Sequence, residues 1–109
     1  MKKKTELRAQ ARIKVSQRAM LNSGEPAWFP CMVVDASDHG FLILCNKTFS
    51  VGQILQLRCE LVPQKTLDCK IEIRHATDSE MGAKIVEIDN KGTGLLQMYL
   101  QEQYSGRLR

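Results

Sequence analysis

The residues best suited to chemistry fall in two short groups. Asp35-Ala36-Ser37-Asp38-His39-Gly40 packs a carboxylate, a hydroxyl and a glycine between two apolar runs, 30–34 and 41–45. If a strand continued through Asp35 and Ser37, both side chains would point the same way. Gly40 could turn with positive φ, or let a ligand approach the backbone. Taken alone, the group is also an ordinary turn, because Asp, Ser and Gly are common turn residues. The second group is Arg8-Ala9-Gln10-Ala11-Arg12. Each of its two guanidinium forks can hold paired acceptors bidentately and can stack on a planar ring.

Charge is distributed unevenly around these groups. Residues 1–18 carry seven cations and one anion, whereas the remainder carries nine cations and eleven anions. The positive charge therefore belongs to an N-terminal arm, which suits a partner bearing phosphates or an acidic surface. Lys2, Lys3 and Lys4 read more simply as a solvated tail. The basic start has no apolar segment behind it, so it is not a secretory signal, and no apolar run is long enough to cross a bilayer. The expected location is the cytoplasm, with no membrane insertion. Cys31, Cys45, Cys59 and Cys69 lack the close spacing of a zinc or redox site, and His39 and His75 are isolated. The cysteines read as small reduced core residues, and no metal site or cofactor is expected.

The elements that must position these groups follow from periodicity. At 109 residues, 43% hydrophobic and 26% charged, the chain suits one soluble domain. Residues 1–12 are polar and basic without an apolar face, which predicts a flexible arm. Alternating or apolar stretches predict strands over 13–21, 27–36, 40–46, 54–62, 67–77 and 81–88. Gly24 and Pro26 mark the first turn, and Pro30 implies an edge position or a bulge in the second strand. Leu95, Leu96, Met98, Tyr99 and Leu100 give 93–103 one broad apolar helical face, and 104–109 reads as a polar tail. The fold class is all-β: six strands at this spacing predict an antiparallel sandwich or a small barrel over 13–103, with a C-terminal helix and a flexible N-terminal arm, and closure would remove exposed strand edges.

An R-x-x-x-R stretch followed by D-x-S-x-x-G resembles the signature of the PilZ domain family of bacterial cyclic di-GMP (c-di-GMP) receptors. Both halves are complete here, as Arg8 and Arg12, then Asp35, Ser37 and Gly40. Val51-Gly52, Ile71-Glu72-Ile73-Arg74, Met81-Gly82-Ala83-Lys84-Ile85 and the helix after Asp89 are similar to later parts of the family, so the resemblance spans about residues 7–103. It implies a six-stranded antiparallel β-barrel receptor with a C-terminal α-helix, in which Arg8 and Arg12 clamp guanine and phosphate while Asp35 and Ser37 read guanine. Gly40 supplies clearance. Arg74 is a further contact, or else an outward strand arginine paired with Glu72 or Glu60. Asp38 and His39 occupy variable motif positions and receive no role.

The expected function is non-enzymatic: the chain binds cyclic di-GMP, orders its arm and alters contacts with an effector protein. No Cys/His or Ser/His pairing recurs that would support catalysis. One alternative keeps the fold as an adaptor working only through protein contacts. Another is a small-barrel binder of single-stranded nucleic acid, which needs aromatic platforms. Aromatics make up only 6% of the chain, and no DNA or RNA partner is expected.

Overall fold

Alternating apolar and polar side chains give each strand one face that must leave water and one that can remain in it. The structure, a computed structural model describing residues 12–107 with side chains to Tyr104, meets that demand by closing the sheet on itself. The strands are β1 (Ile13–Asn22), β2 (Phe29–Ala36), β3 (Gly40–Leu44), β4 (Ile54–Val62), β5 (Lys65–Ala76) and β6 (Glu80–Glu87), followed by helix α1 (Asn90–Arg107). All neighbours are antiparallel, in the order β1-β2-β3-β6-β5-β4, and β4 returns to β1. The expected barrel with one terminal helix is the fold observed.

The core is the inner face of this barrel. Leu55, Leu57, Cys59 and Leu61 on β4, and Leu67, Cys69, Ile71 and Ile73 on β5, are buried, while Arg58, Glu60, Asp68 and Lys70 between them are exposed. Each fully buried Leu or Ile contributes roughly 1.5–3 kcal/mol through removal from water. Asp89 starts α1: its carboxylate accepts the Gly92 N–H at 2.7 Å, and its carbonyl accepts the Thr93 hydroxyl at 3.0 Å. The helix lays Leu96, Tyr99 and Leu100 against the barrel. Met98, expected on that face, is 51% exposed. No helix among the described residues is long and apolar enough to cross a membrane.

Several local expectations change. Gly24 does take positive φ (+103°), and its N–H is held by the Asn22 side chain at 2.8 Å. Pro30 keeps a locally open edge on the side of β3, as expected. It pairs with Met20 and lies beyond the last β2–β3 pair, Met32 with Leu44, while the β2–β3 register shift falls between Val33 and Asp35. β3 stops at Leu44, two residues short of the expected end at 46, and Leu44 is 40% exposed. Helix α1 begins three residues before the expected Thr93 and runs into the stretch read as a tail. The cysteines are free thiols. Burial pushes the Cys31 and Cys69 thiols up to about 12 and the Cys59 thiol up to about 11, so they stay protonated and unreactive near neutral pH.

Candidate functional site

The β2–β3 hairpin carries the D-x-S-x-x-G group, and its strand ends at Ala36, before Ser37. Asp35 and Ser37 therefore do not lie on one continuous strand. Ser37 is buried; its N–H donates to the Gly40 carbonyl at 3.0 Å, and its hydroxyl oxygen accepts the His39 N–H at 3.2 Å. This is a hydroxyl-stabilised turn, and it leaves the hydroxyl proton able to donate elsewhere. Asp35 differs. Its Oδ1 is buried and has no hydrogen-bond partner among the described residues. Such an atom costs on the order of 1–3 kcal/mol, more when charged.

Gly40 has a structural duty that was not expected of it. Its φ is not positive, so it is not needed for a left-handed turn. Instead, a Cβ there would collide with the backbone carbonyl of Ala83, because β3 and β6 are pressed together at this point. The clearance attributed to a ligand is first of all clearance for the neighbouring strand. The Ile85 N–H extends the ladder past Gly40, donating to the His39 carbonyl at 2.7 Å.

On the other side of β6, the β5–β6 register shifts between Ile73 and His75. A shift of this kind lets consecutive side chains emerge on the same face, and Arg74 and His75 are both exposed. They meet Lys84, which pairs across the sheet with Gly40. Arg12 completes the group; because Ile13 pairs with Ala36, Arg12 precedes the barrel beside the Ser37 turn. Arg12, Arg74, Lys84, His39 and His75 together line a cleft of about 300 Å³, with Gly40 and Gly82 on its surface. Among the described residues none of these five basic side chains makes an ion pair. Arg74 is therefore not neutralised by Glu72 or Glu60.

Of the residues named from sequence, the cleft brings Arg12, Gly40 and Arg74 together. Asp35 and Ser37 belong to the same hairpin but do not line the cleft, and Arg8 lies outside the described residues. Lys84, His39 and His75 are additions that sequence reasoning missed. Lys84 and His75 follow from register alone, Lys84 opposite Gly40 and His75 opposite Gly82; only the strand partners could have signalled them. A larger groove of about 740 Å³ is lined by Met20, Pro30, Met32 and Leu44 with Arg18, is mainly apolar, and holds none of the expected site residues. The aromatics form no exposed array: Phe41 and Phe49 are buried, Phe29 packs edge-on against Phe49 at 5.9 Å, and Arg58 covers Trp28 at 4.6 Å. No group of three or more His, Cys, Asp or Glu side chains able to hold a metal occurs among the described residues.

Comparison with known proteins agrees with the barrel fold. The model of the PilZ domain matches residues 6–102. Among solved structures, the Bacillus subtilis inhibitor of motility (MotI/DgrA) superposes with a TM-score of 0.73 at 17% identity, covering 88% of this chain and 51% of that one. The PilZ domain of CeSA from a cellulose-synthesizing bacterium gives 0.66 at 10% identity, covering 90% and 99%. The Borreliella burgdorferi PlzA protein in complex with c-di-GMP gives 0.64 at 18%, covering 90% and 43%. The chain thus spans about half the length of the Bacillus and Borreliella proteins, and these likenesses concern the fold. No curated protein matches the chain.

Proposed function

The chain belongs to the PilZ domain family, and on that premise we propose that it is a non-enzymatic receptor for cyclic di-GMP. PilZ domains are generally receptor or adaptor domains, and cyclic di-GMP is the ligand in the Borreliella structure. The ligand offers two guanines and two phosphates. Guanine O6 and N7 are paired acceptors suited to an arginine fork, and phosphates suit the same fork. The Watson–Crick edge of guanine presents N–H donors. Asp35, with a buried oxygen lacking a donor, would accept from them and recover the energy lost in its own desolvation. Ser37 would donate its remaining proton. Arg8 and Arg12 would close over the ligand from the N-terminal side, and Arg74 would meet it from the barrel.

The observation that carries the proposal is the convergence of Arg12 and Arg74, both without an ion pair among the described residues, on one cleft beside Gly40. Ligand binding would order residues 1–12 over the barrel and so change the surface presented to an effector protein. The test is isothermal titration of the full chain with cyclic di-GMP. A saturable isotherm is expected, with Arg12→Ala and Arg8→Ala each weakening it about tenfold or more. No heat from the wild-type chain at micromolar concentration, or isotherms unchanged in both variants, would sink the proposal.

A further inference from the structure

The two sequence motifs leave one wall of the cleft without a role, and that wall is built around a ring. His75 emerges from the β5 register shift and faces Gly82 across the β5–β6 ladder. A Cβ placed on Gly82 would fall on the His75 imidazole, nearest to Nε2, with Cε1 and Cδ2 next and almost equally far. A point beyond the Nε2 edge of the ring would lie distinctly farther from those two carbons. The distances instead fit a point above the ring plane, so the imidazole lies face-down on the space that glycine leaves. Gly82 is buried beneath it, whereas His75 is exposed. The second face of the ring is therefore open within the cleft. Arg74 and Lys84 line the cleft with it, as do Arg12 and His39, and no carboxylate does.

A flat ring with one face seated and the other open, surrounded by cations, suits a planar base whose phosphates lie to either side. We propose, resting on the cyclic di-GMP reading above, that His75 is the stacking platform for one guanine of the dinucleotide. Gly82 is the residue that lets the imidazole lie flat, and Lys84 with Arg74 receives the phosphate next to the stacked base. Any side chain at position 82 would push the ring off the sheet and close the slot.

The experiment uses the full-length chain with cyclic di-GMP as probe. Wild type, His75→Ala and His75→Phe are titrated calorimetrically, and the His75 ring protons are followed by NMR, assigned by their loss in His75→Ala. His75→Ala is expected to weaken binding about tenfold, and His75→Phe, which keeps a flat ring, to restore most of it. The wild-type His75 ring protons should move upfield on saturation as the base stacks over them. Unchanged affinity in His75→Ala overturns the platform. So does weakened affinity without the upfield shift, which would make the effect indirect, or a Phe variant as weak as Ala. A wild-type chain that gives no isotherm overturns the receptor reading itself, and that titration alone separates the two failures.

Discussion

The two ends of β5 follow opposite rules. Near its start, Asp68 receives Arg58 at 2.9 Å and Lys70 meets Glu87 at 3.7 Å, while the same Arg58 also lies over Trp28. The ladder to β4 stays in register from Ile54 opposite Glu72 to Glu60 opposite Thr66. The register shifts here, at Lys70/Ile71 toward β6 and Glu60/Val62 toward β4, leave the charges paired. Near its end the register slips, Arg74 and His75 emerge together, and the charged side chains lining the cleft are all basic, although Glu72 stands opposite Lys84 in the ladder beside them. Surface ion pairs stabilise by only about 0–1 kcal/mol each, so the first region gains little from its neatness. The second region loses a little through like-charge repulsion and gains no pair in return. That is the arrangement expected where the missing anion is supplied from outside.

The contrast is sharpest in tests that treat both regions alike. The largest effect belongs to Gly40→Val: with the Ala83 carbonyl in the way, it should cost about 3 kcal/mol or more and lower Tm by about 10 °C or more, or prevent folding, as read by thermal melting. A variant that melts like wild type would mean the β3–β6 seam is looser than described. Next comes the arginine pair. Arg74→Ala should weaken nucleotide binding about 10- to 100-fold with Tm unchanged, while Arg58→Ala should leave affinity within about twofold and cost no more than about 1 kcal/mol. The reverse result would invert the comparison.

Smaller effects separate the two motif residues of the hairpin. Asp35→Ala should lose binding but melt at or above the wild-type temperature, because it removes an oxygen buried without a donor. Ser37→Ala should cost about 1 kcal/mol, because the His39 N–H loses its acceptor. If Asp35→Ala unfolds the barrel, its carboxylate is structural. The smallest effect is one of pH, and it sits in the core. Cys59 and Cys69 ionise at about 11 and about 12 when folded, against an unperturbed 9.0. The unfolded chain therefore releases these protons first, so their contribution is constant below about pH 9 and is lost as pH climbs toward 11–12. Denaturant midpoints measured from pH 7 to 11 would show a plateau and then a fall.

Which parts of this were legible in sequence depends on what each feature answers to. β4 and β5 answer to alternation, a property of each strand alone, and β4 was bounded at Ile54 and Val62 as found. The start of α1 answers to a cap. Asp89 secures it ahead of Gly92 and Gly94, residues of poor helix propensity that masked the first turn. Arg12, Asp35 and Ser37 stand out by type and spacing, yet spacing could not show that Ser37 spends its oxygen on the turn. Lys84 and His75 answer to partnership. Period-two patterning says which face a residue occupies but not which strand lies beside it, so their meeting with Gly40 and Gly82 became visible only once β6 stood between β3 and β5.

The turn contains one feature whose meaning is evolutionary. His39 is gripped through its backbone at both ends, its N–H by the Ser37 hydroxyl at 3.2 Å and its carbonyl by the Ile85 N–H at 2.7 Å, while its side chain is exposed at the cleft. The architecture thus depends on the peptide at this position and is indifferent to the side chain. Position 39 is a dial: on the receptor reading proposed above, descendants of this sequence could exchange it to retune ligand response without risking the barrel.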